Sequence, residues 1–248
     1  MHFTASLPDA ETAPAPRLDC WLPPEPQRNG IGLIIFPGGG YGGLAGHEGK
    51  GYAEFFVQHG VCCFVVTYRL GSQGFRHPAM LEDAQAAVHT VRQRAAEFGV
   101  SAGRIGVMGS SAGGHLAAHT MVSGGRRPAP VSVRPDFGVL CYPVITMLDP
   151  FTHAGTRANL LGGEATETAW RAVSPELLAT RETPPAFLWH TWDDGAVPVE
   201  NSLLFASALR RHGVPFELHI YPAGHHGLGL NTEYPWGRDC VRWMLQGR

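Results

Sequence analysis

The chain has 248 residues, 44% of them hydrophobic and 16% charged, with a formal net charge of −2. That length suits one α/β domain that buries its own core without staples. The composition offers neither the basic stripe that nucleic acid requires nor an apolar run long enough to cross a membrane. The opening MHFTASLPDAETAPAPR has no basic start followed by an apolar stretch. No signal peptide is therefore visible, and a cytoplasmic location is expected. The cysteines (Cys20, Cys62, Cys63, Cys141, Cys240) are odd in number and scattered. Three of them lie inside apolar runs, so all are read as structural thiols without a metal or disulfide role.

In chain order, the proline-rich start (Pro14, Pro16, Pro23, Pro24, Pro26) reads as an edge strand and extended connections. Residues 32–36 form a short apolar strand, followed by Pro37-Gly38-Gly39-Gly40-Tyr41. A helix is predicted over 48–59, stopped by Gly60, and a doubly covered strand over 61–68. From Pro78, the residues Leu81, Ala84, Val88, Val91, Ala95 and Phe98 recur at steps of three and four. They predict one amphipathic helix ended by Gly99. Strands are predicted over 105–108, 137–142, 186–192 and 216–221, and helices over 199–212 and 236–245. This alternation argues a mostly parallel sheet with helices on both faces. Ligands of such sheets gather at the carboxyl ends of the strands. Residues 146–185 break the rhythm as a long polar insertion, of the kind that forms lids or binding loops. A single domain over 1–248 is expected, with that insertion near the active site.

The chemically suggestive groups follow these strands. Gly109-Ser110-Ser111-Ala112-Gly113 lies between an apolar strand and a small-residue helix, a G-x-S-x-G elbow with Ser111 at its apex. A serine hydroxyl needs a base, a fixed geometry and a place for negative charge to develop. The triple glycine suits an oxyanion hole, with the N–H of Ala112 as a further donor, although such a stretch also makes ordinary turns. Asp193 and Asp194 follow a later strand, and His225 and His226 follow the last one. The chain order Ser…Asp…His is that of a nucleophile, an orienting acid and a base. The residues alone leave open which aspartate and which histidine serve. His115 and His119 stand four apart on the helix after the elbow, without a carboxylate or cysteine to complete a metal site. The structural reading is preferred, with His115 supporting the nucleophile loop. Tyr41 and Trp192 are expected near the pocket mouth, where an aromatic ring stacks on a sugar or acyl chain or packs into the core.

Over nearly its whole length the chain resembles the α/β-hydrolase superfamily. It is similar within it to acetyl xylan esterases and related carbohydrate deacetylases. The residues that carry this include Pro37 to Tyr41, Tyr68-Arg69-Leu70, His77-Pro78, Gly109 to Leu116, Tyr142-Pro143-Val144-Ile145, Asn159-Leu160-Leu161-Gly162, His190 to Asn201 and Gly224 to Leu230. The resemblance implies an α/β-hydrolase fold and a Ser111–Asp194–His226 triad. The acid stands in Asp194-Gly195-Ala196-Val197-Pro198, and the base precedes Gly227-Leu228-Gly229. Beside that triad, Gly39, Gly40 and Ala112 are expected to form the oxyanion hole, and Tyr41 and Trp192, from their place near the pocket mouth, to bind substrate. Two positions depart from the family pattern. Pro37 stands where lipases often have histidine, and His225 where glycine is common. The implied activity is hydrolysis of short acyl esters, acetyl foremost, on a small-molecule or oligosaccharide substrate such as acetylated xylan. Neither metal nor organic cofactor is expected, and neither membrane nor nucleic acid as a partner. Alternatives are another triad hydrolase (general short-chain esterase, thioesterase or peptidase) and a non-catalytic binding protein on the same fold. Within the insertion, Thr152, His153, Thr156, Arg157 and Asn159 are polar groups suited to hydrogen-bonding hydroxyls.

Overall fold

Residues 30–36 explain how the sheet is covered. Ile31, Leu33 and Ile35 alternate with Ile34 and Phe36, and all five are buried, because successive strand side chains point to opposite faces and both faces carry helices. The computed structural model describes residues 1–7, 15–124 and 131–247. Its elements in chain order are β1 (His2–Ser6), β2 (Arg17–Trp21), β3 (Gly30–Phe36), α1 (Gly46–Val57), β4 (Cys62–Thr67), α2 (Ala79–Gln93), α3 (Ala95–Phe98), β5 (Val100–Ser110) and α4 (Ser111–Val122). They continue with β6 (Phe137–Cys141), α5 (Ala154–Leu161), α6 (Glu167–Arg171), α7 (Pro175–Leu178), β7 (Ala186–Thr191), α8 (Glu200–Arg211), β8 (Phe216–Tyr221) and α9 (Trp236–Gln246).

Among the described residues eight strands join one sheet in the order β1-β2-β4-β3-β5-β6-β7-β8. The pairs β1/β2 and β2/β4 are antiparallel; every other pair is parallel. One face packs Ile34 and Phe36 against Met80, Val88, Leu116, Phe205 and Leu209 of α2, α4 and α8. The other packs Leu33 and Ile35 against Tyr52, Phe56, Trp236 and Val241 of α1 and α9. The expected α/β class and the two-sided covering of the sheet are therefore present. The five cysteines are free thiols, all buried.

Three details differ from the sequence expectation. The predicted helix from 78 to 98 is two helices, because the backbone at Arg94 (φ −101°, ψ 18°) leaves the helical region and lets Phe98 turn onto Phe64. The predicted strand over 105–108 begins earlier, at Val100, whose polar continuation Ser101-Ala102-Gly103 hides it from an apolar-run criterion. The edge strand is β1, whose alternating half-exposed residues make no apolar run, while β2 lies inside it. Pro16 precedes β2 and Pro23, Pro24 and Pro26 follow it; Pro14 lies outside the described residues.

Candidate active site

The elbow is built by close packing. At Ser111 the chain turns from β5 into α4 with φ 54°, a left-handed conformation that a non-glycine residue adopts at a cost. A Cβ on Gly109 would collide with the Gly113 carbonyl, and one on Gly113 with the carbonyl of Phe36. The pattern G-x-S-x-G is thus a steric requirement of strand, turn and helix meeting within one residue's width. The turn aims the Ser111 hydroxyl at the loop after β8.

There His226 receives it. Its Nε2 lies 2.8 Å from Ser111 Oγ and its Nδ1 2.7 Å from Asp194 Oδ2. Asp194 is buried, and its other oxygen accepts the N–H groups of Ala196 and Val197, each at 2.9 Å. Burial alone would raise the Asp194 carboxyl. The hydrogen bonds from His190, His226 and the Val197 N–H outweigh it and hold the group well below the usual carboxylate range. An ionised Asp194 accepts only, so the His226 proton sits on Nδ1 and Nε2 is left to accept from the serine. His190, fully buried after β7, has its Nε2 3.0 Å from the Val197 carbonyl and 3.4 Å from Asp194 Oδ2. Its Nδ1 meets Ser202 Oγ at 2.8 Å.

The two aspartates and the two histidines differ in their contacts. Asp193 is exposed and its Oδ1 accepts the Gly224 N–H at 2.6 Å, tying down the histidine loop from outside. His225 is exposed and its Nδ1 meets the His226 carbonyl at 2.8 Å. Neither reaches Ser111.

Behind the serine, Gly39 (φ 126°) and Gly40 (φ 62°) carry the loop after β3 through a turn closed by the Gly42 and Gly43 N–H groups on the Gly39 carbonyl. Among the described residues, the N–H groups of Gly39 and Gly40 have no partner. Ala112 stands in the first turn of α4, where N–H groups lack intrahelical acceptors. The glycine loop runs beside the nucleophile, since a Cβ on Gly38 would lie 3.1 Å from Ser111 Cβ, and Ala112 directly follows Ser111 in the chain.

Tyr41 requires a correction. Its ring is fully buried, and its hydroxyl lies 2.8 Å from His115 Nδ1, so it anchors the glycine loop from beneath and offers no surface to a substrate. His115 is itself held by the Val173 carbonyl at 2.7 Å; through Tyr41 its side chain supports the glycine loop, where the sequence expectation has it supporting the nucleophile loop. Burial pushes its imidazole down to about 4, so the ring is neutral: Nε2–H donates to Val173 and Nδ1 accepts from Tyr41. Trp192 is 69% exposed at the end of β7, two residues before the acid. Among the described residues no group of three or more His, Cys, Asp or Glu side chains is placed to hold a metal. No described helix is long and apolar enough to cross a membrane.

The insertion is likewise less available than its polarity implies. Asn159 Nδ2 donates to the Gly40 carbonyl at 2.8 Å, and Thr156 is buried with its Oγ1 2.8 Å from His153 Nδ1. Arg157 donates to the Met147 carbonyl and lies over the Trp170 ring at 3.9 Å. Asn159 thus pins the insertion to the glycine loop, while Thr156 and Arg157 are occupied by partners within the insertion itself. His153, half-buried at the start of α5, lies within electrostatic reach of the triad: burial lowers its imidazole, a second proton on His226 pushes the same way, and the Asp194 carboxylate opposes both. Glu48, Tyr52 and Tyr142 were not anticipated as part of this region. A signal for Glu48 exists, since it stands four residues before Tyr52 and eight before Phe56, on the buried stripe of α1.

Comparison with known proteins agrees with this fold. The model of the α/β hydrolase fold family matches residues 33–230. A solved acetyl ester-xyloside bifunctional hydrolase from Caldicellulosiruptor lactoaceticus is 41% identical, with a TM-score of 0.89 covering 96% of this chain and 90% of that one. An acetylxylan esterase of Xylanibacter ruminicola is 33% identical over 98% of this chain and 50% of its own length. Endo-1,4-beta-xylanase B of Butyrivibrio fibrisolvens is 38% identical over 82% of this chain and 33% of its own. The chain thus spans a third to a half of the length of these two curated relatives.

Proposed function

We propose that this chain, which belongs to the α/β hydrolase fold family, is a serine carboxylesterase that removes short acyl groups, acetyl foremost, from carbohydrate. The observation that carries the reading is the continuous line from Ser111 Oγ through His226 to an ionised Asp194, beside two unpartnered loop N–H groups. The sugar-ester substrate class rests on similarity to the Caldicellulosiruptor lactoaceticus and Xylanibacter ruminicola enzymes.

The geometry supports a two-stage reaction. Ser111 Oγ attacks the ester carbonyl while His226 Nε2 takes its proton. Asp194 keeps the imidazole in the accepting tautomer and stabilises its positive charge. The N–H groups of Gly39, Gly40 and Ala112 receive the oxyanion; a single such donor typically contributes about 10²–10³ in rate. His226 returns the proton to the leaving alcohol, and a water activated by the same imidazole frees the acid. The exposure of Trp192 beside the acid loop supports a role for it in stacking on a sugar ring.

Short chains are favoured because α5 is fastened over the oxyanion loop by Asn159, and Thr156 Oγ1 comes within 3.9 Å of where a Gly40 Cβ would stand. Where a pocket has room, each methylene adds roughly 1–3 kcal/mol, so an open acyl channel gives kcat/KM rising with chain length. The expected result is the reverse, a fall from p-nitrophenyl acetate to butyrate and beyond, together with acetate release from acetylated xylo-oligosaccharides. A maximum at octanoate or longer removes the deacetylase reading and leaves a general lipolytic esterase.

A further inference from the structure

Glu48 is a carboxylate with only 2% of its surface exposed, in the first turn of α1, and the mechanism above gives it no role. Burying a carboxylate costs several kcal/mol unless donors surround it. Both of its oxygens are used, and each leads to a different part of the active site. Oε2 accepts the N–H of Gly38 at 2.8 Å, the peptide directly before the Gly39 and Gly40 donors. Oε1 accepts the Tyr142 hydroxyl at 2.7 Å. That hydroxyl in turn accepts the Gly229 N–H at 2.9 Å, three residues past His226. The Tyr142 ring stands edge-on to the His226 imidazole, centroids 5.1 Å apart and planes at 70°. Tyr142 itself has φ 36°, so its backbone is held in a left-handed conformation where its side chain makes these contacts.

Two flanking contacts close the cluster. Tyr52 OH lies 3.1 Å from Tyr142 OH and 2.8 Å from the Oγ of Ser110, the residue before the nucleophile. His47 Nε2 lies 2.9 Å from the Gly227 carbonyl and 3.8 Å from Glu48 Oε1. The oxyanion loop, the nucleophile strand and the histidine loop come from β3, β5 and β8, which are far apart in sequence and carry no direct covalent tie. Their common partner is this carboxylate and its two tyrosines. A Cβ on Gly38 would lie 2.5 Å from Oε2, so glycine at 38 is itself a condition of the contact.

Resting on the esterase reading, we propose that Glu48 is a positioning residue: its two hydrogen bonds, to the Gly38 N–H and the Tyr142 hydroxyl, hold the oxyanion donors and His226 in a common register around Ser111. A glutamine at 48 keeps its oxygen for the Gly38 N–H and turns its N–H₂ toward the Tyr142 hydroxyl, which must then accept instead of donate, so that bond is reversed and loses its charge. Tyr142→Phe removes the tie to the histidine loop and leaves Gly38 bound to the carboxylate. The effect falls on the transition state, in which oxyanion and imidazolium exist together, and little on ground-state binding.

The test measures kcat and KM on p-nitrophenyl acetate, the second-order rate at which a fluorophosphonate labels Ser111 (by intact mass), and thermal melting, for wild type, Glu48→Gln, Tyr142→Phe and the double variant. The expected result is kcat lower by roughly 10- to 100-fold in Glu48→Gln, within the effect of one misplaced oxyanion donor. KM stays within about threefold, the labelling rate falls in parallel, and the double variant is no worse than the more damaging single one, because both act through one chain of bonds. Variants that melt earlier but keep kcat and the labelling rate within twofold of wild type reduce Glu48 to a fold-stabilising group and overturn the proposal. If Glu48→Gln does not fold, Tyr142→Phe decides by the same criterion. A wild type that neither hydrolyses the ester nor is labelled at Ser111 overturns the esterase reading, and the proposal with it, an outcome distinct from active variants.

Discussion

Ser111→Ala is expected to reduce esterase turnover to background while leaving the fold intact. The hydroxyl is the only atom lost, and the backbone at φ 54° is no harder for alanine than for serine. The surrounding close approaches involve Gly109 and Gly113, not the serine side chain, so the elbow does not depend on Oγ for its shape. What disappears is the group that bonds to the acyl carbon and the proton that His226 accepts at 2.8 Å. Loss of a triad nucleophile costs on the order of 10⁶ in kcat, because the other members have nothing to act on. The check is kcat on p-nitrophenyl acetate with thermal melting alongside. Activity above a few per cent of wild type, in protein free of contaminating esterase, would remove Ser111 from the mechanism. His226→Ala is expected to be as damaging, whereas His225→Ala, which changes an exposed side chain that turns back on its neighbour's carbonyl, is expected to be mild.

The parts legible in the sequence are those governed by local rules. The last strand is read to the residue, Phe216 to Tyr221, because Gly213 and Pro215 before it and Pro222 after it bound the apolar run. The elbow is legible because its G-x-S-x-G spacing is local, although only Gly109 answers to a nearby residue, Gly113, while Gly113 answers to the distant carbonyl of Phe36. The choice of Asp194 over Asp193 came from a family pattern, and its physical basis appears only in three dimensions: one carboxylate is buried against two backbone N–H groups, the other faces solvent. Tyr41 shows the opposite limit. Its place after the glycines suggests the pocket mouth, but a partner 74 residues away, His115, draws the ring inward. Glu48 lies further beyond local rules, since its partners belong to β3's loop and to Tyr142, 94 residues on. The polar insertion misleads for the same reason: Asn159 and Thr156 are indistinguishable in sequence from groups that bind ligand, until their partners in the protein are known.

Asp194→Asn is expected to lower kcat by about 10⁴, and Asp193→Asn by far less. The substitution at 194 is nearly isosteric, so the argument turns on hydrogen-bond direction. The asparagine carbonyl remains the acceptor for the Ala196 and Val197 N–H groups, which fixes the side chain's orientation. The amide N–H₂ then occupies the place of Oδ2, 2.7 Å from His226 Nδ1, and can only donate. It therefore favours the tautomer whose proton is on Nε2. In that form the imidazole donates to Ser111 and cannot remove its proton. The negative charge that stabilises the imidazolium is lost as well. Asp193→Asn keeps a carbonyl oxygen for the Gly224 N–H, so the loop it fastens stays in place. Measuring kcat for both variants beside their melting temperatures separates the two roles. A large loss at 193 with near-normal activity at 194 would transfer the acid to Asp193 and require the histidine loop to move in the working enzyme.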